Sequence, residues 1–438
     1  MPAVGDRAAR LLAGLGGDGP AVLARAPGRV NVIGEHTDYN GLPVLPFAIE
    51  RDVLVAGTLR AGGPVEVTNT DDRFAPRRYV PASPIAPFDA GDWGNYAKAA
   101  TQALLDAGTT LPPGGVALRV DGTVPLAAGV SSSSALVVAL ALAQLGLAGV
   151  APKPLALAEV LARGERYVGV LSGGMDQAAI LLGRAGHALR LDFFPLRERA
   201  VAVPPDAAFV VAHTLEDAAK AGLARGHYNQ RVIECRLACA VLAHRLRRAV
   251  DRLGALEEAV VSRDDLLALL PEGSRSRAEV RRDAGLSAAA FDRLVPATVV
   301  LADPDRFVLR RRVRHVLGEA ARVAAAEQAF VAGDLRALGG LLDASHASGA
   351  ADYETSTVRA DALVSHARAA GALGARLMGA GFGGAILALV ERTRSDALLA
   401  ALDDRFYRPL GADTDARFVA TPSAGASVAR VDCQGGVC

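Results

Sequence analysis

A short loop near the beginning of the sequence, PGRVNVIGEHTDYNG at residues 27–41, carries several side chains that can do chemistry. Glu35, His36 and Asp38 supply hydrogen-bond acceptors and a donor between glycines, which suits the vicinal hydroxyls of a sugar or polyol. A metal site is the alternative, but Mg²⁺ takes few protein carboxylates together with phosphate oxygens, and histidine is a poor ligand for it. The loop therefore favours a neutral, hydroxylated substrate.

A serine-rich loop, PLAAGVSSSSALVVALAL at residues 125–142, leads into an apolar segment. The beginning of a helix presents free backbone N–H groups and the positive end of its dipole, so this loop predicts a phosphate site supplemented by serine hydroxyls. The alternative is that the serines only cap a core helix, yet one serine suffices for a cap. The sequence has no GxxxxGK[ST] motif, which excludes a Walker loop.

Two further motifs contain glycine beside reactive or flexible positions. In GARLMGAGFGGAILALV, residues 374–390, the glycines fit G-x-G-x-x-G. A dinucleotide site needs a strand before them and a helix after, whereas the sequence predicts a helical stretch before and a strand after. A turn that approaches a ligand and a plain structural turn both fit. In SGGMDQ, residues 172–177, Asp176 suits either acid–base chemistry or an Asx turn.

Length and charge limit the class of protein. A chain of 438 residues fits two domains, and 48 basic against 47 acidic residues leave a net charge of +1. This balance argues against nucleic-acid or membrane partners. The apolar segment 135–150 is too short to span a bilayer and predicts a buried core helix. Four cysteines without the spacing of a disulfide framework indicate a reducing compartment, so we expect a cytoplasmic protein.

Hydrophobic periodicity predicts the elements that position these motifs. Strands of an early mixed sheet are expected between residues 22 and 59, and helices over 91–108, 155–169 and in most of the second half. Helices of that half are predicted at 216–252, 255–271, 286–294, 309–332 and 358–371. A Pro-rich joint near 195–205 predicts a domain boundary between 195 and 196. The arginines of 310–314 have helical spacing with Glu319 and Arg322, which indicates a salt-bridged or solvated helix.

Taken together, the motifs are recognisable as those of one family. PGRVNVIGEHTDYNG resembles the galactokinase signature, GVSSSSA resembles the phosphate loop of the GHMP small-molecule kinases, and GARLMGAGFGG resembles their third glycine motif. The resemblance implies an α+β, two-domain GHMP kinase fold with the active site in the interdomain cleft. Residues 1–195 would form the N-terminal domain with the sugar signature and phosphate loop. Residues 196–438 would form the C-terminal domain with a helical insert and the third motif.

The same resemblance implies an activity and residue roles. The activity is ATP-dependent phosphorylation of galactose at its anomeric O1 hydroxyl, with Mg²⁺, by a monomer whose partners are the small-molecule sugar and ATP. Asp176 would be the catalytic carboxylate and Arg29 its cationic neighbour. The sugar would be held by Glu35, His36, Asp38, Gly173 and Tyr228. ATP would be held by Trp93, Gly129, Val130, Ser131, Ser132, Ser133, Ser134, Gly379 and Gly381, and Ser133 would also bind Mg²⁺.

The sequence also departs from the pattern of this family at a few positions, and the resemblance leaves alternative functions. Ala127 replaces a glycine of the usual phosphate loop, and Met378 and Ala380 stand where Thr and Gly are frequent. An added methyl is tolerated wherever φ is negative, so we expect both alanines to fit, whereas Met378 would alter the pocket floor. GLSAAAFDRLVP resembles the branch that includes N-acetylgalactosamine kinase, which makes another sugar 1-kinase the alternative. Tyr228 favours galactose, and the complete serine loop disfavours a non-catalytic sugar and ATP sensor.

Overall fold

The protein was analysed as a computed structural model, which describes residues 4–15, 20–112, 114–216, 223–257, 261–412 and 416–431. Its strands in chain order are β1 (Ala21–Asn31), β2 (Pro46–Arg60), β3 (Val65–Asn69), β4 (Arg77–Tyr79), β5 (Gly115–Gly122), β6 (His187–Asp192), β7 (Arg197–Ala202), β8 (Ala207–His213), β9 (Ser274–Ser276), β10 (Arg306–Val308), β11 (Gly374–Leu377), β12 (Ala385–Glu391), β13 (Arg417–Ala420) and β14 (Ser427–Val431).

The helices connect and cover these strands. They are α1 (Val4–Ala13), α2 (Gly94–Asp106), α3 (Ser132–Ala148), α4 (Pro154–Gly164), α5 (Met175–Leu182), α6 (Leu223–Leu246), α7 (Gly254–Glu257), α8 (Arg263–Ala268), α9 (Arg277–Asp283), α10 (Ala288–Leu294), α11 (Arg310–Ala332), α12 (Leu335–Ser348), α13 (Val358–Ala369) and α14 (Ser395–Leu402). No helix among the described residues is both long and apolar enough to cross a bilayer.

Two larger sheets organise the chain. The first has the order β14-β1-β2-β5-β3-β4 and is mixed, because β3 runs parallel to β5 while its other pairs are antiparallel. The second has the order β11-β12-β8-β13 and is antiparallel throughout. Helix α3 packs against β1 and β2 and is buried along most of its length. The early mixed sheet and the buried core helix were both predicted, and both predictions are confirmed.

Some element predictions were wrong. The stretch before the third glycine motif is strand β11, and the whole of helix α12 was missed. Strand β11 was mistaken for helix because it is short and contains Arg376, a charged residue that is nevertheless 1% exposed. The predicted helix 216–252 is observed as α6, with part of its beginning outside the described residues. The predicted helix 255–271 is observed as α7 and α8, with residues 258–260 outside them.

The arginine-rich start of α11 is salt-bridged, as predicted, but its partners come from other elements. Arg312 is buried and its guanidinium lies 2.6 Å from Glu234 on α6 and 2.6 Å from Glu354. The guanidinium of Arg314 lies 3.0 Å from the carboxylate of Asp352. These contacts tie α11 to α6 and to the segment before α13.

The boundary predicted at 195/196 falls in the turn between β6 and β7, which pair with each other as one hairpin. Strand β14 also crosses the predicted division, because it pairs with β1 of the first sheet. The division into 1–195 and 196–438 stays a prediction.

Candidate active site

The centre of the candidate site is an ion pair between Arg29 on β1 and Asp176 in the first turn of α5. The two guanidinium nitrogens Nε and Nη2 lie 2.8 and 2.6 Å from Oδ1 of Asp176. Nη1 of the same arginine donates to the carbonyl oxygen of Gly129 at 2.6 Å. Arg29 is 3% and Asp176 8% exposed. Arg29 therefore links the candidate catalytic carboxylate directly to the phosphate loop.

The serines of the loop complete this network. The hydroxyl of Ser131 donates to Oδ2 of Asp176, and the hydroxyl oxygen of Ser134 lies 3.3 Å from the same carboxylate oxygen. Ser131 has φ +61°, a left-handed conformation that is strained for a residue with a side chain. Ser132 and Ser133, half-buried at the start of α3, and Val130, whose carbonyl accepts the N–H of Arg29 at 3.1 Å, form the rest of the loop. The loop and Asp176 thus lie at one place.

Ala127 corrects one expectation. It has φ +54°, so it does not have the negative φ under which an added methyl is tolerated. A glycine adopts this conformation without a Cβ penalty, which gives a physical reason for the glycine that the family has there. Ala380 shows no positive φ, as expected. The Met378 side chain is fully buried in the hydrophobic core, so it does not form the pocket floor.

Glu35 of the signature loop is held between two partners from the third motif. Its Oε1 accepts the backbone N–H of Gly379 at 2.8 Å and lies 2.9 Å from the guanidinium of Arg376. The carboxylate of Glu319 on α11 accepts the backbone N–H groups of Gly34 at 3.0 Å and Glu35 at 3.3 Å. Groups that lie more than 280 residues away in sequence thereby fix the signature loop.

His36 lies in a cluster of aromatic rings. Its Nδ1 is 3.0 Å from the hydroxyl of Tyr39, and its ring centroid lies 5.6 Å from Tyr228 and 4.7 Å from Tyr353. Burial, with the positive charge of nearby Arg231, holds the pKa of His36 well below its usual range. The imidazole is therefore neutral near pH 7.

Asp38 and Gly173 lie against each other, but only Asp38 lines the cavity formed with the other predicted sugar-binding residues. A Cβ on Gly173 would lie 2.3 Å from the backbone nitrogen of Tyr39 and 2.5 Å from Cγ of Asp38, so only glycine fits. Oδ2 of Asp38 accepts the N–H of Met175 at 3.3 Å. Burial raises the pKa of Asp38 to about 6, and the negative charge of Asp176 contributes to the rise.

Tyr228, on α6, closes one side of the same cavity. Burial and the nearby carboxylates raise the pKa of its phenol well above its usual range, so it stays a hydrogen-bond donor. The cavity brings predicted catalytic and sugar-binding residues together with the third motif: Arg29, Glu35, His36, Asp38, Asp176, Tyr228 and Gly379 all line it.

The phosphate loop and the third glycine motif touch through glycines. A Cβ on Gly129 would lie 3.1 Å from the carbonyl oxygen of Met378, and one on Gly379 would lie 3.0 Å from that of Gly129. Gly381 has φ +78°, and a Cβ there would lie 2.6 Å from Cβ of Thr355. The backbone packing requires all three glycines.

Trp93 lies in a different environment. Its indole Nε1 donates to the carbonyl oxygen of Ala75 at 2.9 Å, and its ring packs edge-on against Phe74. It precedes α2 and is 9% exposed. Its predicted position near the adenine stays a prediction.

Glu165 is a candidate metal ligand that the sequence analysis missed. It is 5% exposed; its Oε1 accepts the hydroxyl proton of Ser134 at 2.6 Å, whereas its Oε2 has no hydrogen-bond partner among the described residues. An unpaired buried carboxylate oxygen beside a phosphate loop fits Mg²⁺, which binds few protein carboxylates together with phosphate oxygens. Glu165 lies in a predicted amphipathic helix without a motif, so no local pattern of residues marks this role.

A serine loop at a helix start, a buried Arg–Asp pair and a glycine turn between β11 and β12, in an α+β fold with two larger sheets, define a small-molecule kinase of the GHMP class. Family models agree: the galactokinase galactose-binding signature matches residues 15–59, and the GHMP kinase N-terminal and C-terminal domains match residues 95–184 and 326–408. The chain is 32% identical to the galactokinase of Dictyostelium discoideum, over 89% of this chain and 85% of that one. It is 36% identical to that of Chloroflexus aurantiacus, over 89% of each chain. The chain belongs to the galactokinase family.

Solved structures give the same result. A crystal structure of Lactococcus lactis galactokinase complexed with galactose matches with a TM-score of 0.79 and 28% identity, covering 97% of this chain and 100% of that one. A Methanococcus jannaschii mevalonate kinase matches with a TM-score of 0.58 and 16% identity, covering 91% and 98%, which shows a common fold. The predicted family, fold and kinase activity are confirmed, and the comparisons favour neither another sugar kinase nor a sensor.

Proposed function

We propose that this chain transfers the terminal phosphoryl group of ATP to the O1 hydroxyl of galactose, giving galactose 1-phosphate and ADP. The observation that carries this mechanism is the position of Asp176. Its carboxylate is bonded by Arg29 and by serines of the phosphate loop, and it also lines the cavity of the sugar signature. A hydroxyl in that cavity and a phosphate on the loop would therefore meet at Asp176.

Asp176 would accept the O1 proton or orient the hydroxyl for in-line attack. Arg29, paired with Asp176 and bonded to the phosphate loop, would keep the carboxylate ionised and contribute positive charge near the transferred group. Because phosphoryl transfer depends mainly on positioning and charge stabilisation, this arrangement suits the reaction.

The sugar would be oriented by groups of unlike hydrogen-bonding character. Asp38 and Glu35 are acceptors, Tyr228 is a protonated phenol, and neutral His36 can donate or accept. Gly173 would allow the sugar to approach the backbone closely. A site built to bond hydroxyl groups discriminates strongly against sugars that leave these groups unpaired.

The nucleotide would lie on the phosphate loop, residues 129–134, with Gly379 and Gly381 beside it and Trp93 toward the adenine. Backbone N–H groups at the start of α3 would bind the phosphate oxygens. Ser133 and Glu165 would hold Mg²⁺, which neutralises charge on the phosphates when bound. We also propose a cytoplasmic location and a monomeric state, the latter testable by light scattering.

The test is ADP release with Mg-ATP and a panel of galactose, N-acetylgalactosamine, glucose and arabinose. Turnover with galactose, at a kcat/KM at least tenfold above the other sugars, is expected. A higher kcat/KM on N-acetylgalactosamine would keep the mechanism and replace the substrate. Sugar binding without turnover on any of them would instead support a sensor.

A further inference from the structure

A second cavity lies behind the candidate sugar site and is larger than it. It encloses about 1370 Å³ including its open mouth, against about 400 Å³ for the sugar cavity. Tyr39, Ser172 and Gly174 line both cavities, so one short segment separates them. Gly173, predicted to contact the sugar, lines this second cavity and not the sugar cavity.

The wall of the second cavity carries more basic than acidic side chains. Four arginines line it; Arg252 lies 2.8 Å from Asp251, and Arg163 is one turn from Glu159 on the same helix. These two carboxylates are the acidic side chains of the wall. The guanidinium groups of Arg166 and Arg236 form no hydrogen bond or ion pair with any residue that the structure describes.

Arg166 and Arg236 also lie near each other. Arg236 is half-buried on α6, and its pKa is lowered by burial and by the positive charge of Arg166. Two neighbouring guanidinium groups without an acidic partner, one of them partly desolvated, make an electrostatically unfavourable arrangement that a bound anion would relieve.

Apolar groups form another part of the wall. Phe193 is buried, whereas the ring of Phe194 is 55% exposed, and the guanidinium of Arg252 lies 4.9 Å from its centroid. Phe194 has φ +62°, an uncommon conformation for an aromatic residue that is associated with functional positions. The cavity therefore offers an apolar surface beside its cationic one.

We propose that this cavity binds a phosphomonoester, with Arg166 and Arg236 on the phosphate and Phe194 against the organic group. A dianionic phosphate matches two unpaired guanidinium groups, each of which can bind phosphate oxygens in a bidentate manner. A carboxylate would supply one negative charge only. The apolar wall favours an ester over free inorganic phosphate.

Calorimetric titration tests the site. Galactose 1-phosphate, AMP and inorganic phosphate are titrated into the full chain held at saturating galactose and a non-hydrolysable ATP analogue, so that the catalytic site is filled. Saturable binding of at least one ester, tighter than that of inorganic phosphate, is expected. The double variant Arg166→Gln/Arg236→Gln should weaken it at least tenfold, and the matched control Arg336→Gln, at an exposed arginine on α12, should not.

Several outcomes would overturn the proposal. These are no ester binding, unchanged affinity in the double variant, equal affinity for inorganic phosphate, or loss of binding when the catalytic site is filled. Arg166 is exposed, so the single variant Arg166→Gln keeps the test open if the double variant fails to fold. Ser133→Ala should leave ester binding intact. If galactose itself does not bind, the proposed function is wrong. Ester binding that depends on the two arginines would still test the phosphomonoester site.

Discussion

The guanidinium of Arg376, on the second sheet, lies 2.9 Å from the carboxylate of Glu35, in the signature loop that follows β1 of the first sheet. Arg376 also donates to the carbonyl oxygens of Asn31 and Val32, both at 3.0 Å, and is 1% exposed. One buried side chain from the C-terminal half thus fixes the backbone and a side chain of the candidate sugar loop. The site exists only when both sheets are in place.

Asp176→Asn tests the proposed catalytic carboxylate. The amide keeps the shape of the side chain but cannot accept a proton, and it loses the ion pair with Arg29. We expect kcat to fall by about 10²–10⁴-fold, the usual contribution of a positioned acid–base group, with little change in galactose affinity. Single-turnover kinetics and calorimetry separate the two quantities. A variant with full activity would show that the carboxylate has no role in proton transfer.

Gly173→Ala tests the close packing beneath the sugar. The new methyl would overlap the Tyr39 nitrogen and the Asp38 carboxylate, so the loop must shift. We expect galactose KM to rise at least tenfold, since small displacements of positioning groups cost large factors. Gly340→Ala is the control, because a Cβ there, within α12, meets nothing within 4 Å. Equal KM values in both variants would contradict this account.

The pH dependence of galactose binding tests Asp38. Its pKa is raised to about 6 in the folded protein, so stability that protonated Asp38 contributes is lost as pH rises from its ordinary pKa of 3.8 through about 6. Galactose bonded to the carboxylate should favour the ionised form, so KM should decrease as pH rises through about 6. Asp38→Asn should bind galactose more weakly and lack this inflection. A wild-type KM that is flat across this range would argue against Asp38 as an acceptor for the sugar.

Glu319→Gln tests the support of the signature loop. Glu319 is fully buried, and the charge of Arg322 holds its pKa at about 2 despite burial. The stability that ionised Glu319 contributes to the fold is therefore present above the ordinary glutamate pKa of 4.5 and is lost as pH falls toward 2. We expect the variant to lose about 1–3 kcal/mol of unfolding free energy and to raise galactose KM more than it lowers kcat. Denaturant unfolding and steady-state kinetics measure both, with exposed Glu391→Gln as the control.

Ala127→Gly tests the strain in the phosphate loop. Glycine removes the Cβ penalty at φ +54°, so we expect a gain of about 1 kcal/mol in unfolding free energy. Ala332→Gly, at the exposed end of helix α11, should instead lose about that amount. The midpoint of urea unfolding shows whether each substitution raises or lowers the unfolding free energy. A loss at both positions would show that the loop conformation carries no strain.

The motifs predicted the residues that meet at the site but not those that hold them there. Asp176, Glu35 and Tyr228 each stood in a recognisable motif, and the structure brings them to one cavity. Glu319 stands in no motif, and Arg376 stands in the third glycine motif without a role assigned to it; they act across about 285 and 340 residues of sequence, where local spacing holds no information. The positive φ of Ala127 was equally unpredictable, because a small side chain at a turn is compatible with several conformations.

The pairing of β14 with β1 has a consequence for biosynthesis. Strand β1 emerges from the ribosome early, but its partner of residues 427–431 is made some 400 residues later. Until then the outer edge of β1 has unpaired backbone groups, and such edges promote association between nascent chains. The first sheet is therefore incomplete until β14 has been synthesised. We expect chaperone protection during translation to matter most along the outer edge of β1.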